Sequence, residues 1–137
     1  MSERSGGCLC GKVRFSMAGE PIATAICHCR NCQKTAGSAF SVIVLAPVAA
    51  LSVEGTPAIY RDTGDSGATV ERSFCGNCGS PIVSDSPGMR QQGMTAIKAA
   101  AFDDVAWLKP TVQIWCDSEQ PWISTLASLP RVAKTPA

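Results

Sequence analysis

Cys27-His28-Cys29-Arg30-Asn31-Cys32 puts three thiols within six residues. A Cys-x-Cys pair that runs into a Cys-x-x-Cys lets three sulfurs converge on one point from a single turn of chain. Zinc prefers four tetrahedral ligands, usually thiolate or imidazole, with Zn–S near ~2.3 Å. Three ligands from one turn leave the fourth position open, and an open position separates a catalytic zinc from a structural one. The reading of the chain therefore turns on what its other cysteines do.

Those others are Cys8 and Cys10, Cys75 and Cys78, and the lone Cys116. Cys75-Gly76-Asn77-Cys78-Gly79 has the form of a zinc knuckle, a tight turn whose backbone amides donate to the sulfurs. Pairing it with Cys8 and Cys10 gives a closed four-thiolate site that ties an N-terminal strand to the middle of the chain and adds folding free energy directly. The competing use of each pair is a buried or redox-active dithiol. Cys116 is a candidate fourth ligand for the triad, although a lone cysteine in a strand is more often a small core residue. His28 is the sole histidine and sits between two ligands. Neighbours on extended backbone point opposite ways, which places His28 behind the ligands or on the surface rather than on the ion.

A length of 137 residues suits one domain with its own core. The sequence is 45% hydrophobic and 17% charged, enough apolar surface to offset the ordering entropy of a folded chain. A net charge of +1 offers no field to recruit nucleic acid or an anionic membrane. The longest apolar run, Val42 to Leu51, is interrupted by Pro47 and is too short to span a bilayer. Met1 to Gly7 lacks the apolar segment of a secretory signal, so a cytoplasmic location is expected. Eight cysteines in a reducing compartment point to metal ligation ahead of disulfides.

The rest of the chain reads as short strands. Val13, Phe15 and Met17 alternate on one face of Lys12–Met17, and Ile22–Ile26 delivers the chain into the three-cysteine turn. Arg30–Ala36 predicts one helical turn ended by Gly37, followed by a buried strand over Ala39–Leu45. Glu54-Gly55-Thr56-Pro57 predicts a turn between two strands, Asp62–Ala68 a loop, and Thr69–Phe74 a strand entering the knuckle. Ile82-Val83 begins another strand, Asp85–Gln92 reads as a loop, and Thr95–Ala101 is ambiguous between helix and strand. Thr111–Trp115 closes the set of strands, Trp122–Leu129 suits a short helix, and Arg131–Ala137 reads as a tail.

Electrostatics narrows the chemistry of the triad. Three thiolates around Zn²⁺ carry a formal charge of −1, which lowers Lewis acidity relative to three histidines and weakens water activation. A thiolate-rich, soft centre is better suited to holding an incoming sulfur ligand. The expected visitor is a substrate thiol.

Taken together, Gly7-Cys8-Leu9-Cys10-Gly11-Lys12-Val13, the Cys27–Cys32 run with Gly37 after it, Arg72-Ser73-Phe74-Cys75-Gly76-Asn77-Cys78-Gly79-Ser80, and Pro121-Trp122-Ile123 resemble the glutathione-dependent formaldehyde-activating enzyme family, also called Gfa-like or centromere protein V-like. The resemblance covers nearly the whole chain. It implies a mainly β, Mss4-like fold of twisted antiparallel sheets around zinc, in a single domain over 1–137. The core would lie at about 6–129, with a flexible N-terminus and a C-terminal tail. It implies two zinc ions per chain, a structural one on Cys8, Cys10, Cys75 and Cys78 and a catalytic one on Cys27, Cys29 and Cys32. The implied activity is a carbon–sulfur lyase acting on glutathione or a related thiol adduct, of the S-hydroxymethylglutathione synthase type.

On that reading His28 is a candidate proton carrier, and Arg30, Lys34, Arg61 and Lys98 are candidates to bind the glutathione carboxylates. Trp107, Trp115 and Trp122 are candidate pocket walls, and Ser38 and Phe40 candidate pocket edges. A zinc-stabilised binding module without chemistry is the competing class, and it expects the second zinc to have four protein ligands or to be absent. A nucleic-acid-binding zinc protein is disfavoured by the balanced charge.

Overall fold

The computed structural model describes residues 2–135. Ten strands form two sheets. Glu3–Gly7 (β1), Arg14–Ala18 (β2) and Leu51–Glu54 (β5) make a three-stranded sheet in the order β1-β2-β5. The second sheet has seven strands in the order β10-β3-β4-β9-β8-β7-β6. They are Ala23–Cys27 (β3), Ser41–Pro47 (β4), Ala58–Thr63 (β6), Thr69–Phe74 (β7), Pro81–Asp85 (β8), Met94–Lys98 (β9) and Val112–Ile114 (β10). All neighbours are antiparallel except β10, which lies parallel to β3. Arg30–Ala36 (α1) and Pro87–Gln91 (α2) are the α-helices of the described residues.

The register of the large sheet divides its residues between two faces, because side chains alternate along each strand. Val44 faces Ile97, Ile97 faces Val83, and all three are buried. This face packs with Val13, Phe15, Met17, Ile82 and Phe102 into one core. The Phe15 and Phe102 rings meet edge to face, 5.1 Å between centroids. The expected alternation of Val13, Phe15 and Met17 is what supplies the small sheet's side of that core.

The opposite face carries a different set. Cys27 faces Ser41, Ile43 faces Lys98, Ala96 faces Ser84, and Ser84 faces Arg72. One face of five adjacent strands thus runs from a thiol through a serine and a lysine to an arginine. That row positions the site.

The structure changes two expectations and settles two more. The N-terminal residues, expected to be flexible, form β1. Their sequence lacks apolar alternation, and the strand is instead set by close backbone approach. A Cβ on Gly6 would lie 2.3 Å from the Ala101 carbonyl oxygen and 2.6 Å from the Phe15 ring, and one on Gly7 2.4 Å from the Val13 oxygen. The expected turn at Glu54–Pro57 does lie between two strands, β5 and β6, and carries the chain from the small sheet to the edge of the large one. Pro87–Gln91 forms a helical turn inside the expected loop, with Ser86 Oγ accepting from the Met89 N–H at 3.2 Å and Pro87 at the first helical position. The ambiguous Thr95–Ala101 segment resolves into strand β9 followed by a 3-10 turn over Ala99–Ala101.

The Trp122–Leu129 region is 3-10 helix over Pro121–Ser128, and residues 129–135 are exposed. Pro136 and Ala137, the end of the expected tail, lie outside the described residues. No helix is long and apolar enough to cross a membrane among the described residues.

Candidate metal and thiol site

The Cys75–Gly79 turn brings its two sulfurs to the start of β2. Gly79 N–H donates to the Cys75 carbonyl at 2.8 Å, and the left-handed φ of +81° at Gly79 closes the turn. Cys8 N–H donates to the Val13 carbonyl at 3.0 Å, with Gly11 at φ +84° in the loop between them. The Leu9 N–H reaches Ser80 Oγ at 3.0 Å and joins the two loops.

As a result the sulfurs of Cys8, Cys10, Cys75 and Cys78 all lie within 4.8 Å of one another. Cys8 and Cys10 Sγ are 3.6 Å apart, and Cys10 and Cys75 Sγ 3.7 Å. A tetrahedron of sulfurs ~2.3 Å from zinc has edges of ~3.8 Å, so the donor set fits that ion in number, chemistry and spacing. Backbone N–H of Val13 donates to Cys8 Sγ at 3.2 Å, as sulfurs carrying negative charge require. The Ser80 hydroxyl at 3.2 Å, then the backbone amides of Ser80 and Cys10, pull the Cys78 thiol down to about 5.

Cys27, Cys29 and Cys32 form the second cluster, with sulfurs again within 4.8 Å of one another. Cys27 ends β3. Cys29 caps α1, its sulfur accepting the Cys32 N–H at 3.2 Å, and Gly37 closes the helix in the left-handed conformation. Among the described residues, no further Cys, His, Asp or Glu joins this group. Three soft donors fit zinc with one position left for another ligand. The thiols share protons. Cys32, accepting from Cys27 and then Cys29 and lying near Lys98 and Arg72, is held at about 5, while donation to Cys32 followed by burial pushes Cys27 up.

The three sulfurs open onto a cavity of about 190 Å³. Ile43, Ala96, Lys98, Ser84, Arg72 and Val70 line it from the sheet, the Gly64–Ala68 loop and Met89 from the sides, and Trp115 from the end of β10. Arg72 Nε contacts Asp62 Oδ2 at 3.2 Å, and Asp62 accepts from Asn31 Nδ2 at 3.1 Å, which fixes the guanidinium beside α1. Lys98 is buried and donates to Ser41 Oγ at 2.8 Å. Burial pulls its ammonium below the usual lysine range, against the attraction of Cys32. Trp115 holds φ +57° and ψ +40°, a strained conformation for a bulky residue.

A larger cleft of about 710 Å³ passes the four-sulfur cluster, lined in part by Cys8, Cys10, Arg14 and Asp103. Its sulfur wall already offers a full tetrahedral set, whereas the wall of the smaller cavity offers three sulfurs.

The family model described as glutathione-dependent formaldehyde-activating enzyme matches residues 3–118, which takes in both clusters and the cavity. The chain belongs to that family. A Phaeosphaeria nodorum protein named "Putative glutathione-dependent formaldehyde-activating enzyme" is 30% identical over 107 residues, 75% of this chain and 54% of that protein. A protein of the same name from Aspergillus flavus is 30% identical over 109 residues, 75% of this chain and 55% of its own length. The chain spans about half the length of the curated relatives it matches. A Rhodobacter sphaeroides crystal structure superposes with a TM-score of 0.58 at 17% identity, covering 80% of this chain and 98% of that one, and so shares the fold.

The other candidates named from sequence scatter. His28 is fully buried with Nε2 2.8 Å from Gln113 Oε1, faces the Phe40 ring, and is absent from the cavity lining, which removes it as a proton carrier. Arg30, Lys34, Ser38 and Trp122 line a separate surface cleft. Arg61 is exposed and paired with Glu71 at 2.7 Å. Trp107 packs on Phe102 beneath Arg4. Cys116 is exposed and outside both clusters. Of the named cations and aromatics only Lys98 and Trp115 reach the cavity.

Sequence reading missed Arg72 and Ser84 as lining residues. Their signal was parity: each is polar one step from a residue turned to the other face, as Ser84 is from buried Val83.

Gln33 was missed as well. It is buried, and its Nε2 donates to the His28 carbonyl at 2.7 Å and to the Ser118 carbonyl at 3.0 Å. No local pattern announces that tie.

Proposed function

We propose that this chain joins a thiol, glutathione or a close relative, reversibly to formaldehyde or another small aldehyde, the reaction of a carbon–sulfur lyase run in either direction. One observation carries the reading: three sulfurs converge on the wall of a cavity with no fourth protein ligand among the described residues, while the other cluster is complete at four. The binding-module alternative expects either a fourth protein ligand at the triad or no second zinc. Family membership supports the substrate class.

In this reading Cys8, Cys10, Cys75 and Cys78 hold a structural zinc, and Cys27, Cys29 and Cys32 a catalytic one. An ion bound at the triad supplies Lewis acidity, lowering the pKa of a thiol that enters beside it. The chain's own residues do the rest. Ligand pockets for drug-sized molecules measure ~300–1,000 Å³. At about 190 Å³ the cavity admits the cysteinyl end of glutathione and a one-carbon electrophile, and leaves the remainder of the tripeptide outside. Ile43, Val70, Ala96 and Met89 keep water from the reacting sulfur, and Trp115 walls the mouth. Lys98 and Arg72 stand near Cys32 and favour negative charge on that protein sulfur.

Titration of glutathione into cobalt-substituted protein tests this. A change in the sulfur-to-cobalt charge-transfer band, saturating at one glutathione per chain and lost in Cys29→Ser, is the expected result. An unchanged band with two metal ions bound overturns the proposal.

A further inference from the structure

Lys98 lies on the cavity-lining face of β9 with no carboxylate partner. Its residue is 94% buried (6% exposed), and among the described residues the ion pairs of the chain leave it out. An ammonium carries three N–H donors, and here one is used, on Ser41 Oγ at 2.8 Å. A buried cation with no carboxylate in contact is costly, and the Ser41 hydroxyl and the nearby Cys32 sulfur offset part of that cost. Strand register then decides where those donors are. Ser41 sits across from Cys27 on β3, and Lys98 across from Ile43 on β9, so thiol, hydroxyl and ammonium share one face of three adjacent strands. Cys27 and Lys98 line the same cavity.

Addition of a thiol to an aldehyde creates charge at one predictable atom. The sulfur lone pair forms the C–S bond, and the carbonyl π pair moves onto oxygen, leaving an alkoxide. The proton lost by the thiol returns through solvent to that alkoxide, giving the S-hydroxymethyl thioether with no net oxidation. A fixed donor at the developing alkoxide accelerates the step without reorganising. Resting on the reading above, we propose that Lys98 is a catalytic residue of this addition, its Nζ–H donating to the aldehyde oxygen as that oxygen takes up negative charge, with Ser41 holding the ammonium in place.

The competing role for Lys98 is counter-ion to the anionic thiolate cluster, and metal content separates the two. In Lys98→Met we expect both metal ions retained and glutathione binding to the cobalt protein within about threefold, while kcat falls about 10²–10³-fold, the range seen for loss of one oxyanion donor. Lys98→Arg should recover part of that loss. Ser41→Ala, which keeps the charge and is the fallback if Lys98→Met does not fold, should lower kcat about tenfold with KM unchanged. A Lys98→Met kcat within about threefold of the parent overturns the inference. So does activity that falls only in proportion to loss of the second metal ion. If the parent binds glutathione but does not speed the addition, Lys98 has no such role while the thiol site stands. If it does not bind glutathione, the proposed function fails first.

Discussion

Both clusters gather thiols within 4.8 Å, and in each one sulfur is held at about 5, yet by different means. Cys78 owes its low value to the Ser80 hydroxyl and to backbone amides of the two loops it joins. Cys32 owes its value to its fellow thiols, Cys27 first, and to Lys98 and Arg72 across a cavity. The first arrangement draws its stabilising donors from loops tied to each other, which makes the fold depend on the sulfurs. The second draws part of its field from side chains that stand away from the cluster, which leaves space between. Closure and vacancy are thus properties of where the neighbouring donors come from, as much as of how many cysteines there are.

The sharpest way to break the comparison is to remove one sulfur from each cluster. Cys78→Ser should unfold or aggregate the chain, because a structural zinc site contributes on the order of 10 kcal/mol to folding. Cys29→Ser should stay folded and lose one metal ion; circular dichroism with metal analysis reads both. If the two variants behave alike, the division of labour is wrong.

Gly6→Ala probes the strand that delivers Cys8. Its Cβ would meet the Ala101 carbonyl at 2.3 Å, so a loss of about 1–3 kcal/mol in denaturant melts is expected. The thiol response of the triad should survive in whatever fraction remains folded.

The shared protons of the triad predict a pH dependence. In protein carrying metal at the four-sulfur cluster alone, Cys32 should alkylate with a thiolate fraction that rises through about pH 5 and is complete at neutrality. Cys27, pushed the other way, should stay unreactive there. Mass-spectrometric mapping of the modified residue decides it, and preferential labelling of Cys27 at pH 6 would refute the assignment.

Trp115→Gly should release left-handed strain worth ~1–2 kcal/mol and raise the midpoint of thermal unfolding, while weakening glutathione binding at the triad. A variant that gains stability and binds as before would leave the indole no role in the cavity. The smallest effect belongs to Arg61→Ala. Its ion pair with Glu71 is surface-exposed and worth ~0–1 kcal/mol, and thiol binding should not change.

Much of this layout was legible in the residues. Cysteine spacing alone separated four sulfurs from three, and the structure gathers them in those groups. Alternation at Val13, Phe15 and Met17 located the core face of β2. What resisted was non-local. Nothing within Glu3–Gly7 marks it as a strand, since its glycines matter only once Ala101 and Phe15 press against them. The cations could not be ranked, because Arg30, Lys34, Arg61 and Lys98 look alike until strand pairing buries one of them. His28 drew notice by adjacency to two ligands, and the same extended geometry turned it toward Gln113 and away from the cavity.

The parallel pairing of β10 with β3 bears on vectorial synthesis. Every residue of the four-sulfur cluster has been translated once Cys78 has. The triad turn waits for its braces, since His28 N–H bonds to the Ile114 carbonyl and Gln33 to that of Ser118. The triad turn at Cys27–Cys32 is thus made before Cys75 and Cys78, yet the residues that brace it come some forty positions after Cys78.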